Sequence, residues 1–468
     1  MNRDNKTGCR MEHDSIGVRE VPSDAYYGVQ TLRAHENFNI TGLSMHPEMM
    51  ISIAQIKKAA AITNYEAGRL DKKRADAISI ACDEIIEGKM QDQFIVDPIQ
   101  GGAGTSWNMN ANEVIANRAI EILGGKKGDY KIVNPNNHVN YGQSTNDVYP
   151  SCGRMTVLKL FDKAQKQLTV LYNALVKKAD EFDSVIKMGR TQLQDAVPIR
   201  LGQEFKAYSE AVKRDIRRID YARDELRYLN MGGTAVGTAL NADVYYVQNI
   251  IPKLAEISGL TLYQADNLID ATQNLDSYVM VSSILKTCAV NLSKMSNDLR
   301  LMSSGPRTGF GEINLPAKQN GSSIMPGKVN PVIPEVMNQV AFHVIGNDVT
   351  ITMAAEAGQL ELNAFEPIIF YKLIQSIETL TNAVDTLVNN CILGITANEE
   401  QCRQMVESSV GIITAICPYV GYEKAAIIAK EAIKTGAEVK KLILRDKLLS
   451  EKELERIMNP YEMTELGA

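Results

Sequence analysis

Four short polar segments carry the side chains of this sequence that are best suited to chemistry. Each places a hydroxyl beside a glycine, a carboxamide or a basic residue: 101–106 (GGAGTS), 143–147 (QSTND), 189–195 (GRTQLQD) and 321–331 (GSSIMPGKVNP). Taken singly, such segments are usually turns or helix N-caps, because small polar side chains satisfy free backbone N–H groups. Four of them in one chain instead indicate a receptor for a small carboxylate, built from neutral donors and one lysine.

The segment 321–331 has the residue types of a phosphate-binding loop but not its spacing. A P-loop has four residues between its glycines and a Ser or Thr directly after its lysine. Here five residues separate Gly321 from Gly327, and Val329 follows Lys328. A serine of this loop could instead remove a proton next to a carboxylate, provided that Lys328 or a helix N-terminus stabilises the serine oxyanion.

The few histidines argue against a serine hydrolase. No G-x-S-x-G motif is present, and a Ser-His-Asp triad would need one of five histidines beside an exposed serine. Three lie in the irregular N-terminal region, and His343 lies on a very apolar helix, where we expect it to be packed or hydrogen-bonded. His138 precedes the segment 143–147 and could help to shape it. The five are His13, His35, His46, His138 and His343.

Composition and charge exclude several classes of protein. The 468 residues are 45% hydrophobic, enough for a sizeable core and two to four domains. A net charge of −6 disfavours nucleic acid as a partner, and no run approaches the length of a membrane span. The polar N-terminus lacks the apolar core of a signal peptide. Seven scattered cysteines without a C-x-x-C pair predict reduced thiols in the cytoplasm and no metal site.

Long helices must position the four polar segments. Five long segments with at most an isolated Gly have helical patterns, whereas strand patterns are few and lie mainly before residue 50. Helices of this length predict an elongated bundle, and the all-round apolar character of 333–357 places it at the centre of a multi-subunit bundle. After about residue 396, shorter helices alternate with turn signals at 417–421 and 434–436. The five segments are 154–183, 203–230, 277–303, 333–357 and 368–393.

In this order, with long helices between them, the four segments resemble those of the aspartase/fumarase superfamily. The resemblance runs from residues 25–30 (AYYGVQ) to the C-terminal region, and GSSIMPGKVNP is similar to the superfamily's signature loop. Thr145, where fumarases usually have serine, and Glu366, where they tend to have lysine, favour the aspartase branch. The resemblance implies a mostly α fold of three domains, with a central long-helix bundle that forms the core of a homotetramer. The predicted domains are 1–143 (mixed, mainly helical), 144–396 (central bundle) and 397–468 (small, helical).

The resemblance also implies a reaction and a role for each site residue. L-aspartate would be deaminated reversibly to fumarate and ammonia without a cofactor or metal, in active sites that are each shared by three subunits. Ser322 would be the general base that removes the Cβ proton. The β-carboxylate of the resulting aci-carboxylate would be held by Thr105, Ser144, Thr145 and Ser323. The α-carboxylate would be bound by Thr191, Lys328 and Asn330, and the amino group by Asn146.

One position and two alternatives stay open. Gln192 stands where fumarases and some aspartases have a histidine, and it can hydrogen-bond a substrate but cannot carry a proton. This departure weakens a fumarate hydratase, the main alternative, more than an aspartase. The second alternative is a structural protein that keeps the bundle without catalysis, as in lens crystallins, and the intact Ser322, Lys328 and Asn330 disfavour it.

Overall fold

The protein is mostly helical, as predicted. The structure is a computed structural model that describes residues 8–321, 323–325, 327–459 and 461–465. None of the helices in this described part combines the length and the apolar character that crossing a membrane requires. The α-helices are α1 Val29–Asn37, α2 Pro47–Glu66, α3 Lys72–Ile86, α4 Thr105–Ile122, α5 Thr145–Glu181, α6 Leu201–Leu226, α7 Val244–Ser258, α8 Asp270–Gln273, α9 Asp276–Met302, α10 Val332–Glu356, α11 Glu366–Asn390, α12 Glu399–Ser408, α13 Ile413–Val420, α14 Tyr422–Thr435, α15 Val439–Arg445 and α16 Glu451–Ile457.

Strands occur only as short pairs within the described residues. Three pairs are antiparallel, and the pair of β5 with β6 is parallel. The strands are β1 Cys9–His13, β2 Val18–Pro22, β3 Ile186–Thr191, β4 Gln194–Arg200, β5 Tyr228–Leu229, β6 Tyr263–Gln264, β7 Ile313–Asn314 and β8 Thr396–Ala397. The first pair confirms the strand prediction before residue 50. The hairpin of β3 and β4 was not predicted, because its turn lacks Gly and Asn and its second strand contains Pro198.

All five predicted long helices are present as α5, α6, α9, α10 and α11. The largest error is at the start of α5, which begins at Thr145 although Pro150 lies inside it. Proline has no N–H for the carbonyl four residues earlier and normally ends a helix. Here that carbonyl, on Asn146, accepts a hydrogen bond from the Asn230 side chain at 2.9 Å. A partner distant in sequence therefore lets the helix continue through the proline.

The chain divides into two compact units, each formed by three stretches. Unit 1 comprises Met1–Ala164, Arg218–Lys286 and His343–Thr379, and unit 2 comprises Gln165–Arg217, Thr287–Phe342 and Leu380–Ala468. These units follow packing rather than sequence order, and the domain boundaries at residues 143 and 396 stay a prediction.

A chain of aromatic rings holds the helices of unit 1 together. Tyr149 on α5 contacts Trp107 on α4 and Phe370 on α11, with ring centroids 6.1 and 5.6 Å apart. Phe370 in turn contacts Tyr278 on α9 at 5.0 Å. Gly153 makes this packing possible, because a Cβ added to it would lie 2.1 Å from Phe370 Cε1. The absence of a side chain at this position lets α5 and α11 approach.

Unit 2 contains the β3–β4 hairpin and the short C-terminal helices that were predicted after residue 396. Met188 of β3 packs into the same apolar cluster as residues of α12, α13, α14, α15 and α16. The turn predicted at 417–421 is confirmed only at its end, since α13 continues through Pro418 to Val420 and the chain turns at Gly421, whose φ is 84°. The turn at 434–436 is confirmed, because α14 ends at Thr435 and Gly436 adopts a left-handed φ of 71°.

Replacement of Gly153 by alanine tests the packing of α5 against α11. We expect Gly153→Ala to lower the free energy of unfolding by about 1–3 kcal/mol, because the new methyl group overlaps the Phe370 ring. Urea unfolding measures the change. Combination with Phe370→Leu should cost less than the sum of the two single changes, since a smaller side chain makes room; additive costs would contradict the steric explanation.

Candidate functional site

Two of the predicted site segments lie at helix N-termini in unit 1. Thr105 begins α4 directly after Gly104, and Ser144 and Thr145 lie at the start of α5. The side chain of Asn108, one turn into α4, donates from Nδ2 to Thr145 Oγ1 at 3.1 Å. The structure therefore brings the segments 101–106 and 143–147 together. Both helix ends supply backbone N–H groups and partial positive charge, which suit an anion.

Asp147 fixes the backbone of the segment 143–147. Its carboxylate is fully buried and accepts hydrogen bonds from the backbone N–H groups of Ser144, Gly232 and Thr234 at 3.0 to 3.1 Å. Burial raises the pKa of Asp147 to about 6, and the three N–H donors oppose that rise. The carboxylate thus joins the start of α5 to a turn almost ninety residues later.

The turn around Thr234 was missed by sequence reasoning. Asn146, a predicted substrate contact, donates from its side chain to the carbonyl of Ala235 at 2.7 Å. Thr234 has a left-handed φ of 56°, and its buried hydroxyl has no hydrogen-bond partner among the described residues. Non-glycine residues rarely adopt this conformation, and such strain is often found at functional sites. The only sequence signal was the small-residue run MGGTAVG at 231–237.

Lys57 is a second site residue that sequence reasoning missed. Its side chain is fully buried in α2, and Nζ donates to Asn140 Oδ1 at 2.7 Å and to Gln143 Oε1 at 2.9 Å. Burial lowers the pKa of Lys57 from 10.5 to about 7. The available signal was the position of this lysine close to the alanine run at 59–61. Such an apolar run indicates a buried helix, in which a lysine is unusual.

Thr105 also faces an open cavity in unit 1. The cavity has a volume of about 820 Å³ and is lined by Thr105, Ser106, Gln30, Arg33 and Asn136, among others. Arg33 is held by two hydrogen bonds from its guanidinium to the Asp14 carboxylate, at 2.7 and 3.1 Å. The lining near Thr105 combines polar side chains with the apolar Val29, Ala34 and Phe38.

Thr191 and Gln192 lie at the tip of the β3–β4 hairpin in unit 2. The two-residue turn, Gln192 and Leu193, has left-handed φ values of 54° and 63°, a geometry for which glycine and asparagine are preferred. The preceding Arg190 is anchored by Glu312, with 2.6 Å between the guanidinium and the carboxylate. Lys187 lies 3.1 Å from the other oxygen of the fully buried Glu312. A strained turn that carries two predicted ligands is therefore fixed by a buried ionic cluster.

The segment 321–331 is described only in part. Ser322, the predicted general base, lies outside the described residues. Ser323 and Lys328 are exposed, and Asn330 donates from Nδ2 to the carbonyl of Gly321 at 2.7 Å. A Cβ at Gly321 would lie 1.9 Å from the Lys328 carbonyl, so the two arms of this loop touch where it begins and ends. One N–H of the Asn330 amide closes the loop, which leaves its second N–H and the Lys328 ammonium as donors for a carboxylate.

The predicted site residues thus form two groups. Thr105, Ser144, Thr145 and Asn146 belong to unit 1, and Thr191, Gln192, Ser323, Lys328 and Asn330 belong to unit 2. The first group is tied together by Asn108 and Asp147. Among the described residues, no three His, Cys, Asp or Glu side chains are grouped so that they could hold a metal ion.

Comparison with known proteins agrees with the motifs. The family described as Lyase matches residues 17–346, and the family described as Fumarase C C-terminus matches residues 412–465. The aspartate ammonia-lyase of Bacillus subtilis is 58% identical over 98% of this chain and 96% of that protein. The chain belongs to the aspartase/fumarase superfamily. The aspartate ammonia-lyase of Escherichia coli is 50% identical over 96% of this chain and 95% of that protein.

Solved structures of this superfamily share the fold. A protein described as fumarate lyase:delta crystallin from Brucella melitensis bound to cobalt matches with a TM-score of 0.96 and 50% identity, over 98% of this chain and all of that one. The class II fumarase of Schistosoma mansoni matches with a TM-score of 0.94 and 35% identity, over the same shares. The superfamily fold predicted from the motifs is confirmed.

The buried lysine predicts a dependence of stability on pH. The pKa of Lys57 is lower in the folded chain than its ordinary value of 10.5, so folding releases a proton between about pH 7 and pH 10.5. Its contribution to stability is therefore largest above pH 10.5 and decreases as the pH falls from about 10.5 to about 7, below which it is lost, with a slope of up to about 1.4 kcal/mol per pH unit.

We expect Lys57→Met to remove that slope in urea unfolding between about pH 7 and pH 9. Lys58→Met is the matched control, because Lys58 is the next residue of α2 and pairs with Asp83 near the surface. It should leave the slope as it is. Equal slopes in the wild type and in Lys57→Met would show that Lys57 does not change its protonation on folding.

Removal of the negative charge of the buried Glu312 should lower the stability of the protein strongly. We expect Glu312→Gln to lower the free energy of unfolding by about 3–5 kcal/mol, because Lys187 and Arg190 would then face each other with less compensation. The control is Glu407→Gln, whose exposed pair with Arg403 should contribute about 1 kcal/mol or less. Urea unfolding of both variants measures the difference; equal costs would contradict a structural role for the cluster.

Proposed function

We propose that this chain is a carbon–nitrogen lyase that converts L-aspartate reversibly to fumarate and ammonia. The observation that carries the proposal is its 50–58% identity, over nearly the full length, to proteins named aspartate ammonia-lyase. The site geometry supports it, since hydroxyls at two helix N-termini and one exposed lysine suit a dicarboxylate better than a phosphate. A fumarate hydratase is less well supported, because the matched fumarase is only 35% identical.

In this proposal Ser322 removes the Cβ proton of L-aspartate. The electron pair of the broken C–H bond moves into the β-carboxylate, which becomes a dianionic aci-carboxylate. Four hydroxyls hold it: Thr105, Ser144, Thr145 and Ser323. Thr105 and Thr145 stand at the first positions of α4 and α5, where the helix ends favour added negative charge. Donors that strengthen only as this charge develops lower the barrier.

The second step breaks the bond between Cα and nitrogen. The electron pair returns from the aci-carboxylate to form the double bond of fumarate, and nitrogen leaves with the electrons of the C–N bond. An α-ammonium group leaves directly as ammonia, so this step needs no separate acid, which agrees with Gln192 in place of a histidine. Lys328, Asn330 and Thr191 hold the α-carboxylate, and Asn146 and Gln192 hydrogen-bond the substrate. The reaction uses no cofactor, because the substrate's own carboxylate accepts the electrons.

We also propose that the protein is a homotetramer whose active sites each take loops from three subunits. One support is a stripe of exposed apolar side chains on α10, a helix in which 342, 349 and 353 lie on one face. The stripe comprises Phe342, Val349 and Met353, which are 64%, 56% and 67% exposed. A helix face of this kind needs a neighbour, and identical helices of other subunits would cover it.

We place the enzyme in the cytoplasm. The support is the state of its cysteines: no disulfide joins any of the seven, and five are buried. Disulfides are frequent in secreted proteins and rare in the reducing cytosol.

The ultraviolet absorbance of fumarate distinguishes the alternative functions. We expect absorbance to rise with L-aspartate and not with L-malate. A rise with malate alone would identify a fumarate hydratase, and no rise with either would favour a protein that has kept the fold without this chemistry.

Replacement of the base tests the mechanism. We expect Ser322→Ala to lower kcat by about 100- to 10,000-fold, the usual range for loss of a general base, while the oligomer persists in light scattering. Ser408→Ala is the control, because Ser408 is an exposed residue of α12 whose hydroxyl reaches only the Met405 carbonyl. Near-normal turnover of Ser322→Ala would exclude this serine as the base.

A further inference from the structure

Five side chains of unit 1 form a continuous hydrogen-bonded path that ends at Thr145. Lys57 Nζ donates to the side-chain oxygens of Asn140 and Gln143, at 2.7 and 2.9 Å. Asn108 Nδ2 donates to Asn140 Oδ1 at 3.3 Å and to Thr145 Oγ1 at 3.1 Å. The path runs from a buried amine to a hydroxyl that the proposed function places on the substrate.

The orientation of two carboxamides in this path is fixed by groups that can only accept. The Gln143 Nε2 group faces the backbone carbonyls of Val139 and Tyr141 at 3.0 and 3.3 Å. The Asn140 Nδ2 group faces the carbonyl of Gln143 at 3.2 Å. Because carbonyls need a donor, both amide nitrogens must point to them, and both amide oxygens must point to the N–H groups of Lys57.

The orientation of the Asn140 carboxamide determines the orientation of the Asn108 carboxamide. Since Asn140 presents an oxygen, Asn108 must present its NH₂ group there, and the same NH₂ group reaches Thr145 Oγ1. In this orientation the buried Oδ1 of Asn108 has no hydrogen-bond donor among the described residues, which is energetically unfavourable. A rotated amide would place two carbonyl oxygens against each other, so the unpaired oxygen is retained.

The direction of the last hydrogen bond leaves one proton available. Thr145 Oγ1 accepts from Asn108, so its own proton must be donated elsewhere. No residue in the described part of the chain accepts a hydrogen bond from this hydroxyl, although Thr145 is only 8% exposed. A largely buried hydroxyl with a fixed acceptor role and an unused proton is arranged to donate to a bound ligand.

We propose that Asn108 is a positioning residue that aims the hydroxyl proton of Thr145 at the β-carboxylate of the substrate. This inference rests on the proposed function, and it explains which residue orients the O–H group of Thr145. A donor that is already oriented does not have to reorient when the second negative charge develops on the carboxylate. Loss of Asn108 should therefore affect kcat more than KM, because the contact strengthens in the transition state.

Two substitutions at Asn108 test the direction of the bond. In Asn108→Asp the new carboxylate can only accept, so the hydroxyl of Thr145 turns towards it. We expect kcat to fall about 100-fold or more, the usual loss of one oxyanion donor, with KM for L-aspartate changed by about threefold or less. Asn108→Leu, which removes the donor without adding charge, should lower kcat by about 10-fold and keeps the test informative if the first variant does not fold.

Asn112 supplies matched controls. It lies one turn further along α4, is fully buried, and its amide donates only to the sulfur of Met109. Asn112→Asp and Asn112→Leu carry the same burial costs without contact to Thr145, and their kcat should remain near that of the wild type. An equal loss of kcat at the two positions would overturn the proposal, because it would reflect the stability of α4 alone.

A double-mutant cycle with Thr145→Val separates this inference from the proposed function. If Asn108 acts through the hydroxyl, Asn108→Leu should have no further effect on kcat once Thr145→Val has removed it. If Asn108→Leu lowers kcat by the same factor with and without the hydroxyl, the positioning role is wrong while the role of Thr145 stands. Normal turnover of Thr145→Val by itself would remove both the positioning role and the assignment of Thr145 to the β-carboxylate.

Discussion

The arrangement of unit 1 depends on the buried carboxylate of Asp147. A carboxylate removed from water is unfavourable unless donors surround it, and here three backbone N–H groups do so. Two of these donors belong to the turn at Gly232 and Thr234. The hydrogen bonds that offset burial of the charge therefore also fix that turn against the start of α5. Asn230 makes a second connection, to the carbonyl left free by Pro150. These two contacts fix the start of α5 and, with it, the backbone of Ser144, Thr145 and Asn146.

The site is built from polar groups whose roles are set by their neighbours rather than by their own chemistry. Threonine hydroxyls can donate and accept, and carboxamides can rotate, so none of them has a direction in isolation. Backbone carbonyls and the N–H groups of Lys57 remove that freedom step by step, so that Thr145 Oγ1 accepts from Asn108 and its own proton meets no acceptor among the described residues. In unit 2 the corresponding constraint is the pair of cations around Glu312, which holds the hairpin that carries Thr191 and Gln192. Strain in that turn is sustained by the buried cluster beside it.

The elements that the sequence predicted well are those with a long regular pattern. Five helices were found because their helical pattern continues for about seven turns or more, and the short helices after residue 396 followed from the change in that pattern. The β3–β4 hairpin was missed because its turn uses Gln192 and Leu193 at positive φ, for which no local signal exists. The start of α5 was misplaced for the opposite reason, since Pro150 gave a strong stop signal that Asn230 overrides.

The sequence by itself determined the superfamily, the mostly helical fold and the set of hydroxyls, amides and lysine that could bind a dicarboxylate, because these depend on residue types and on spacing along the chain. The tertiary structure alone decided which other residues contact and orient these site residues. Lys57, Asn108 and Thr234 belong to three different stretches, and only folding brings them to the segment 143–147. Burial then gives Lys57 and Asp147 pKa values near neutrality, and the direction of each hydrogen bond follows from which carbonyls lie nearby. Neither burial nor direction is a property of a residue in the sequence, since both arise from contacts between distant parts of the chain.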